Sequence, residues 1–502
     1  VDVTPQRANL LSTLGLVSGP LAALAVALVP LPGLSREAHT LAGILALVVV
    51  YWVTEALPLP VTALLGVTLA VLLGVADAAT AFSALGNEVV FLFIGSFMLA
   101  RAMWVHGLDR RVAYALLSFP LAEGSPLLMM LLLGVVAAGV SMWVSNTATT
   151  AMLLPVALAI GQHASVTPGG SAQGILPGAH PSRYTVALLF MLAYGASIGG
   201  MATPVGTPPN LIGIALIRET TGRDLTFFQW VQIALPLAMV LLLVAFALLV
   251  WLYRPPLLRP PSQPGYFRHQ LRALGRVTPG ERNTALALGA AACLWMLPGA
   301  VALTAGQDSP LYRTLQERLP EGAVALAAAT LLFLLPVGAK PRRPTLTWEQ
   351  AAAIDWGTVL LFAGGIALGK MMLDTTLAGS LGAALVAGTG LSSQTGITAA
   401  AVAAGVLISE TASNTASANI VIPVMASIAN AAGVSGVVPA LGATLGASLG
   451  FMLPVSTPPN ALIYGTRQLT ILQMVRTGLL LDLLGAVAVW AYLSYLLPLW
   501  FT

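Results

Sequence analysis

VSMWVSNTATTAMLLPVALAIG (140–161) and SETASNTASANIVIPVMASIANAAG (409–433) decide how this chain is read. Each sets a polar triplet, Ser145-Asn146-Thr147 or Ser413-Asn414-Thr415, inside a long apolar run. Neither triplet carries a formal charge, and a proline, Pro155 or Pro423, follows eight residues after each threonine. Triplets and prolines repeat at an offset of 268 residues. No Asp, Glu, Lys or Arg occurs from 124 to 182 or from 411 to 466. Two uncharged polar tips at membrane depth suggest one binding site made twice and facing itself.

The 502 residues are 57% hydrophobic and only 8% charged, against about 25% charged in soluble domains. The chain is therefore expected to be an integral membrane protein. Its apolar runs reach helical rather than barrel-strand length, so the fold class is an all-α polytopic membrane protein. Residues 8–30, opening after Arg7, read as a first transmembrane helix, because a secretory signal would have a shorter apolar core and a small-residue cleavage site. The lone Cys293 lies in an apolar run and can form no intramolecular disulfide. The net charge of +4 reports topology rather than nucleic-acid binding.

Eleven helix candidates follow the apolar pattern: 8–31, 40–57, 60–76, 88–106 (continuing amphipathically to 118), 184–217, 226–253, 283–304, 322–337, 355–373, 436–466 and 472–500. The connection 254–282 holds six Arg and one Glu, which places it in the cytoplasm. Arg110, Arg111, Lys340, Arg342 and Arg343 then also fall inside. The N-terminus is expected inside and the C-terminus outside, in a cell (plasma) membrane. Parity requires each anomalous segment, 125–161 and 394–432, to cross an even number of times. A full two-helix hairpin and a re-entrant loop both satisfy that. The arm 148–161 has 14 residues and rises about 21 Å, short of the roughly 30 Å hydrocarbon core, which favours re-entrant hairpins.

An internal repeat supports two related halves. FLFIGSFMLA (91–100) matches LLFAGGIALG (360–369) at offset 269, one residue from the triplet offset. TPVGTPPNLI (203–212) matches LPVSTPPNAL (453–462) at offset 250, the drop being accounted for by a Gly/Pro/Ser-rich loop at 162–182. With the expected topology the repeats are inverted, as in many secondary transporters. The chain divides into first-repeat scaffold helices (1–123), first-repeat transport elements (124–253), a cytoplasmic linker (254–282), second-repeat scaffold helices (283–390) and second-repeat transport elements (391–502).

Ser, Asn and Thr are N-cap residues, so each triplet is expected to open a helix whose unpaired N–H groups and dipole favour an anion. In TPVGTPPN and LPVSTPPN the paired prolines break a helix, with Thr207 or Thr457 capping the restart. Carbonyls freed near Gly206 and Ser456 suit a hard cation such as Na+. A buried dianion needs balancing charge, and no Lys or Arg lies in either motif. Co-bound cations are the natural remaining source, which points to cation-coupled uptake. Glu410 and Lys370 are candidates for coupling, or for a structural ion pair or cavity-facing groups. Glu55 reads as a helix anchor, and Arg101 and Asp482 as positioning groups. His106 and His163 lack partners at metal or triad spacing, so neither an intramembrane enzyme nor a catalytic residue is indicated. Inverted repeats with hairpins also disfavour a passive anion channel.

With WVTEALPLPVTALL (52–65), the paired SNT triplets and LGFMLPVSTPPNALIYG (449–465) in hand, the chain resembles the divalent anion/Na+ symporters, the INDY-type dicarboxylate, citrate and sulfate carriers. The resemblance spans nearly the whole chain. It implies a homodimer with a scaffold and a mobile transport domain working as an elevator. It also implies substrate contacts at Ser145, Asn146, Thr147, Ser413, Asn414 and Thr415, with Thr207-Pro208 and Thr457-Pro458 lining the pocket. One sodium site would use Ser141, Ser145, Asn146 and the Gly206 carbonyl. The other would use Ser409, Asn414 and the carbonyls of Ala412 and Ser456. Ser409 stands where Thr is common in the family, and both supply a hydroxyl. Some members are sodium-independent exchangers, which would be expected to carry basic groups where sodium sits; none is present there. The expected function is Na+-driven import of a C4-dicarboxylate such as succinate, malate or fumarate. Exchange without sodium, and sulfate or citrate as substrate, are the alternatives.

Overall fold

The computed structural model describes residues 5–31, 33–119, 125–165, 182–255, 265–339 and 342–499. The central part of the loop at 162–182, and Lys340, lie outside the described residues. The first half runs through α1 (Pro5–Leu28), α2 (Arg36–Thr54), α3 (Leu59–Leu72), α4 (Ala78–Phe82), α5 (Glu88–His106) and α6 (Leu108–Leu117). A helical hairpin follows, α7 (Pro126–Ser141) and α8 (Asn146–Ser165), then a broken helix, α9 (Arg183–Met201) and α10 (Pro208–Thr221), and then α11 (Phe227–Tyr253). After α12 (Tyr266–Ala273) the pattern returns: α13 (Pro279–Ala305), α14 (Pro310–Arg318), α15 (Glu321–Leu334), a hairpin of β1 (Pro336–Ala339) and β2 (Arg342–Pro344), α16 (Trp348–Ala352), α17 (Trp356–Asp374) and α18 (Leu377–Thr389). The second hairpin is α19 (Gln394–Thr411) and α20 (Asn414–Ala431), and the second broken helix is α21 (Val437–Gly446) and α22 (Pro458–Gly465), before α23 (Ile471–Ala491). Eight helices among the described residues are long and apolar enough to cross a membrane, or up to nine if the bent pair α18–α19 is one span.

Small residues bring the central helices together. α9 is enclosed on every side. Cβ atoms added at Gly195 and Gly199 would run into the α7 backbone at Gly134 and Ala138. The second repeat does the same. Gly405 of α19 abuts the backbone around Ala443–Ala447, and Gly446 of α21 abuts Val402. Close backbone approach through small residues is how helices associate without a hydrophobic drive from water. The halves then interlock: α10 packs on α20 and α22 packs on α8, each restarted helix lying against the other repeat's hairpin. The remaining helices cross over similarly, α5 against α15 and α17 against α3.

Three features differ from the sequence expectation. The stretch 88–118 is two helices, because Gly107 takes φ +69° and turns the chain between α5 and α6. Its counterpart α18 was not expected; 377–389 carries no charged residue to reveal an amphipathic face. By contrast, the breaks within 184–217 and 436–466 stand where the TPPN motifs place them. Lastly, α8 and α20 contain 20 and 18 residues, about 30 and 27 Å at 1.5 Å per residue. Arm length therefore does not carry the re-entrant reading, and the position of the tips becomes the relevant observation.

The two ends of the bundle differ in charge. Beyond α5, Arg111 of α6 meets Glu281 at the start of α13 at 2.7 Å and also donates to the Gly275 carbonyl. That pair is nearly buried and ties the Arg-rich connection to the body. At the N-terminal end of α5 the cluster is mixed: Arg218 lies 2.9 Å from Asp224 and 3.9 Å from Glu88.

Candidate functional site

Each triplet opens a helix. Ser145 accepts from the Ala148 N–H and Ser413 from the Thr415 N–H, so α8 begins at Asn146 and α20 at Asn414. Four N-terminal N–H groups and the positive end of the macrodipole are thus directed at each tip. Directly behind each tip is a buried serine. Ser141 Oγ donates to Asn146 Oδ1 at 2.7 Å, and Ser409 Oγ lies 2.6 Å from Asn414 Oδ1. This geometry holds each asparagine's carbonyl oxygen toward the body of the protein.

The broken helices supply the other wall. Between α9 and α10, Asn210 Nδ2 donates to the carbonyls of Gly200 (2.9 Å) and Thr203 (2.7 Å). Between α21 and α22, Asn460 Nδ2 donates to Gly450 (3.0 Å) and Leu453 (3.1 Å) and lies 3.2 Å from Ser456 Oγ. The last residue of TPPN therefore staples each break, a role the sequence reading did not assign although the asparagine is present in both copies. Thr457 caps α22 by accepting from the Asn460 N–H at 3.4 Å, whereas Thr207 makes no side-chain cap bond.

Tip and break meet at a glycine. A Cβ on Gly200 would overlap Asn146 Oδ1, and one on Gly206 would run into the Gly200 carbonyl. At the equivalent Gly450, a Cβ would lie 3.0 Å from Ser409 Oγ, 3.2 Å from Asn414 Oδ1 and 3.5 Å from Ser456 Cβ. Ser409 Oγ also sits 2.8 Å from the Ala447 carbonyl. One hydroxyl proton cannot serve two acceptors at full strength, so this cluster is rich in oxygen lone pairs and poor in protons. Ala412, next to it, is buried in an extended conformation outside either helix. Uncharged oxygens packed this way match what a hard monovalent cation requires.

Both tips and both breaks open into one cavity of about 1050 Å³. Among the predicted site residues, Ser145, Asn146, Thr147, Gly206, Thr207, Pro208, Ser413, Asn414, Thr415, Ser456, Thr457 and Pro458 line it. Ser141, Ser409 and Ala412 stand behind the tips, fully or almost fully buried. The cavity wall also includes α5 from Ser96 to Trp104, with Glu55 and Asp355. Asp355 is occupied in capping α17, accepting from the Thr358 N–H at 3.0 Å. Glu55 ends α2 with φ +49° and lines the cavity, where the sequence suggested a helix anchor.

Glu410 has a definite place. Its two carboxylate oxygens accept from the Met452 N–H (2.8 Å) and the Leu453 N–H (3.0 Å). Asp482 accepts from the Phe451 N–H at 3.3 Å. Three consecutive amides of the second break thus hang from two buried carboxyl groups. The expectation of an ion pair with Lys370 is replaced by a backbone clamp. The first repeat has Met142 at the position of Glu410, and there Thr203 Oγ1 bonds the Met142 carbonyl instead.

Comparisons with known proteins bear on the family and the fold. The family model described as the sodium:sulfate symporter transmembrane region matches residues 12–501. The chain is 30% identical over 499 residues to the sodium-dependent dicarboxylate transporter SdcS of Staphylococcus saprophyticus, covering 98% of this chain and 92% of that protein. It is 29% identical over 492 residues to the Staphylococcus aureus protein of the same name, covering 97% and 91%. Among solved structures, the Alcanivorax borkumensis YdaH transporter is similar with a TM-score of 0.53 at 12% identity, over 84% of this chain and 88% of that one. Neisseria gonorrhoeae MtrF is similar with a TM-score of 0.51 at 13% identity, over 98% and 95%. At such identities the structural likeness speaks for the fold alone. The chain is a transporter rather than an enzyme, and it belongs to the sodium:sulfate symporter family.

Proposed function

We propose that this protein imports a C4-dicarboxylate, such as succinate, malate or fumarate, coupled to Na+. The observation that carries this reading is the single cavity into which both helix N-termini and both stapled breaks converge. The N–H groups and the asparagine and threonine side chains of the tips suit the carboxylates. The proton-poor oxygens around Gly450 and their counterparts near Gly200 suit Na+. Each asparagine faces both, which makes it the coupling element: Na+ held behind the tip orders the amide that meets the anion. The relatives named as sodium-dependent dicarboxylate transporters support the same assignment.

Alternating access belongs to this reading. The matched stretches of α5 and α17 stand in unlike surroundings. Ser96 lines the open cavity, while its counterpart Gly365 is pressed against Asn419 of α20. A pseudo-symmetric pair, open on one side and sealed on the other, is what a carrier needs to expose one site alternately. The open side lies along the half of α5 nearer the Arg111–Glu281 contact, which by the positive-inside rule faces the cytoplasm. Hairpins and breaks would move as a unit, elevator-fashion, against the scaffold helices of residues 1–123 and 283–390, in a homodimer, with the N-terminus inside and the C-terminus outside.

The test is uptake of labelled succinate into proteoliposomes with and without an inward Na+ gradient. Uptake is expected only with the gradient; equal rates would identify a sodium-independent exchanger instead. Competition by citrate and sulfate ranks the substrates, and stronger competition by sulfate than by unlabelled succinate would replace the dicarboxylate assignment. A second outcome concerns the glycine contact. Gly200→Ala should raise the Na+ concentration for half-maximal uptake, because the new methyl displaces Asn146 Oδ1. Overpacking of this kind costs about 1–3 kcal/mol, or roughly 5- to 150-fold in Na+ affinity if expressed there. Unchanged Na+ dependence would count against the first cation site.

A further inference from the structure

One cation in the cavity wall has no role in the reading above. Arg101 projects from α5, which belongs to neither hairpin nor break, and lines the cavity. Its guanidinium carbon lies 4.5 Å from the centre of the Trp104 ring. Its Nε is buried and has no hydrogen-bond partner. No carboxylate among the described residues lies within ion-pair distance of it. The other charged residues of the wall are Glu55 and Asp355, so among the described residues Arg101 is its only fixed positive charge. A buried guanidinium N–H without an acceptor is costly, and it is normally satisfied by an anion or a carbonyl. Resting on an aromatic face keeps the group flat and partly desolvated, and leaves its other face and edges available.

The repeat retains this feature. Extending the offset of 269 by one residue beyond the matched stretches pairs Arg101 with Lys370, so a basic residue closes the same segment in both halves. The tips themselves are uncharged. A dianion entering a cavity that also holds two carboxylates needs a fixed positive charge along its route.

We propose that Arg101 is the capture residue of the open access path, pairing with a carboxylate of the incoming dianion before the hairpin tips take it. This rests on the reading that the substrate is a dianion. The residue sets apparent affinity and charge selectivity; the Na+ sites and the movement of the carrier do not depend on it.

The experiment compares wild type, Arg101→Gln and Arg101→Lys in proteoliposomes, with labelled succinate and, in parallel, labelled sulfate as a second dianion. Ionic strength is varied with choline chloride at fixed Na+. Arg101→Gln is expected to raise KM by about tenfold, at the low end of electrostatic capture effects, with Vmax and Na+ dependence retained. Its Vmax/KM should also lose most of the ionic-strength dependence seen in wild type. Arg101→Lys should recover most of both. A wild-type KM in Arg101→Gln overturns the inference, as does an Arg101→Lys variant as impaired as Arg101→Gln, which would assign the residue to packing on Trp104. Wild type that takes up neither dianion overturns the transport reading and this inference together, whereas normal wild-type uptake with an unaltered Arg101→Gln overturns this inference alone.

Discussion

Asn146→Ala or Asn414→Ala should each abolish Na+-driven uptake while the protein still reaches the membrane. Each substitution removes two groups at once. The Oδ1 that meets the buried serine, Ser141 or Ser409, is one of the oxygens assigned to Na+. The Nδ2 is a donor assigned to the substrate carboxylate. Hydrogen bonds to charged groups are worth about 1.5–3 kcal/mol each, so losing two such contacts corresponds to roughly 10²- to 10⁴-fold in affinity. The cost to folding is smaller. Ser145 and Ser413 still cap their helices; Asn146→Ala leaves the Ser141 hydroxyl short of that acceptor, about 1 kcal/mol, while after Asn414→Ala the Ser409 hydroxyl keeps the Ala447 carbonyl. Uptake rates alongside quantified membrane expression check this. Normal uptake in both variants would remove the triplets from the site.

The second large effect falls on Glu410, which touches neither ligand in the proposed arrangement. Glu410→Ala should lower thermal stability and raise the Na+ requirement together. It leaves the Met452 and Leu453 amides without acceptors in a buried turn. Two buried N–H donors left unsatisfied cost about 1–3 kcal/mol each. The same turn carries Gly450 and Ser456, so the second cation site loosens as its frame does. Glu410→Gln retains one acceptor oxygen but turns an amide NH2 toward a backbone N–H, and should fall between wild type and alanine. Met142→Leu, at the equivalent position of the first repeat, is the control and should be nearly silent, because a carbonyl makes the contact there. Melting temperature in detergent and the Na+ dependence of uptake are the two readouts. A Glu410→Ala variant normal in both would dismiss the clamp.

Much of the architecture was legible because the membrane makes it so. A lipid-embedded backbone must satisfy its own hydrogen bonds, so apolar length reports helices directly, and α1, α2, α5, α11, α13, α17 and α23 stand close to where the pattern put them. Polar triplets and paired prolines stand out against such a background, and their duplication marked two hairpins and two breaks. Elements that touch water or lie across the bundle were harder to read. α18 has no charged face to give it periodicity, and the Gly107 turn between α5 and α6 lies in a polar stretch, His106 to Arg111, that reads as an amphipathic continuation of one helix.

Sequence by itself determined the fold class, the doubled motif and which uncharged residues gather at its tips, because each of these depends on local chemistry and on repetition along the chain. Only the tertiary structure decided which groups those residues meet. Asn210 and Asn460 became staples, and Glu410 a clamp on backbone amides, because their partners are carbonyls and N–H groups that every residue carries and no side-chain pattern can announce. Arg101 became the one positive charge of the cavity among the described residues for the same reason: its meaning lies in which carboxylates are out of reach, and distance across a folded chain is set by packing.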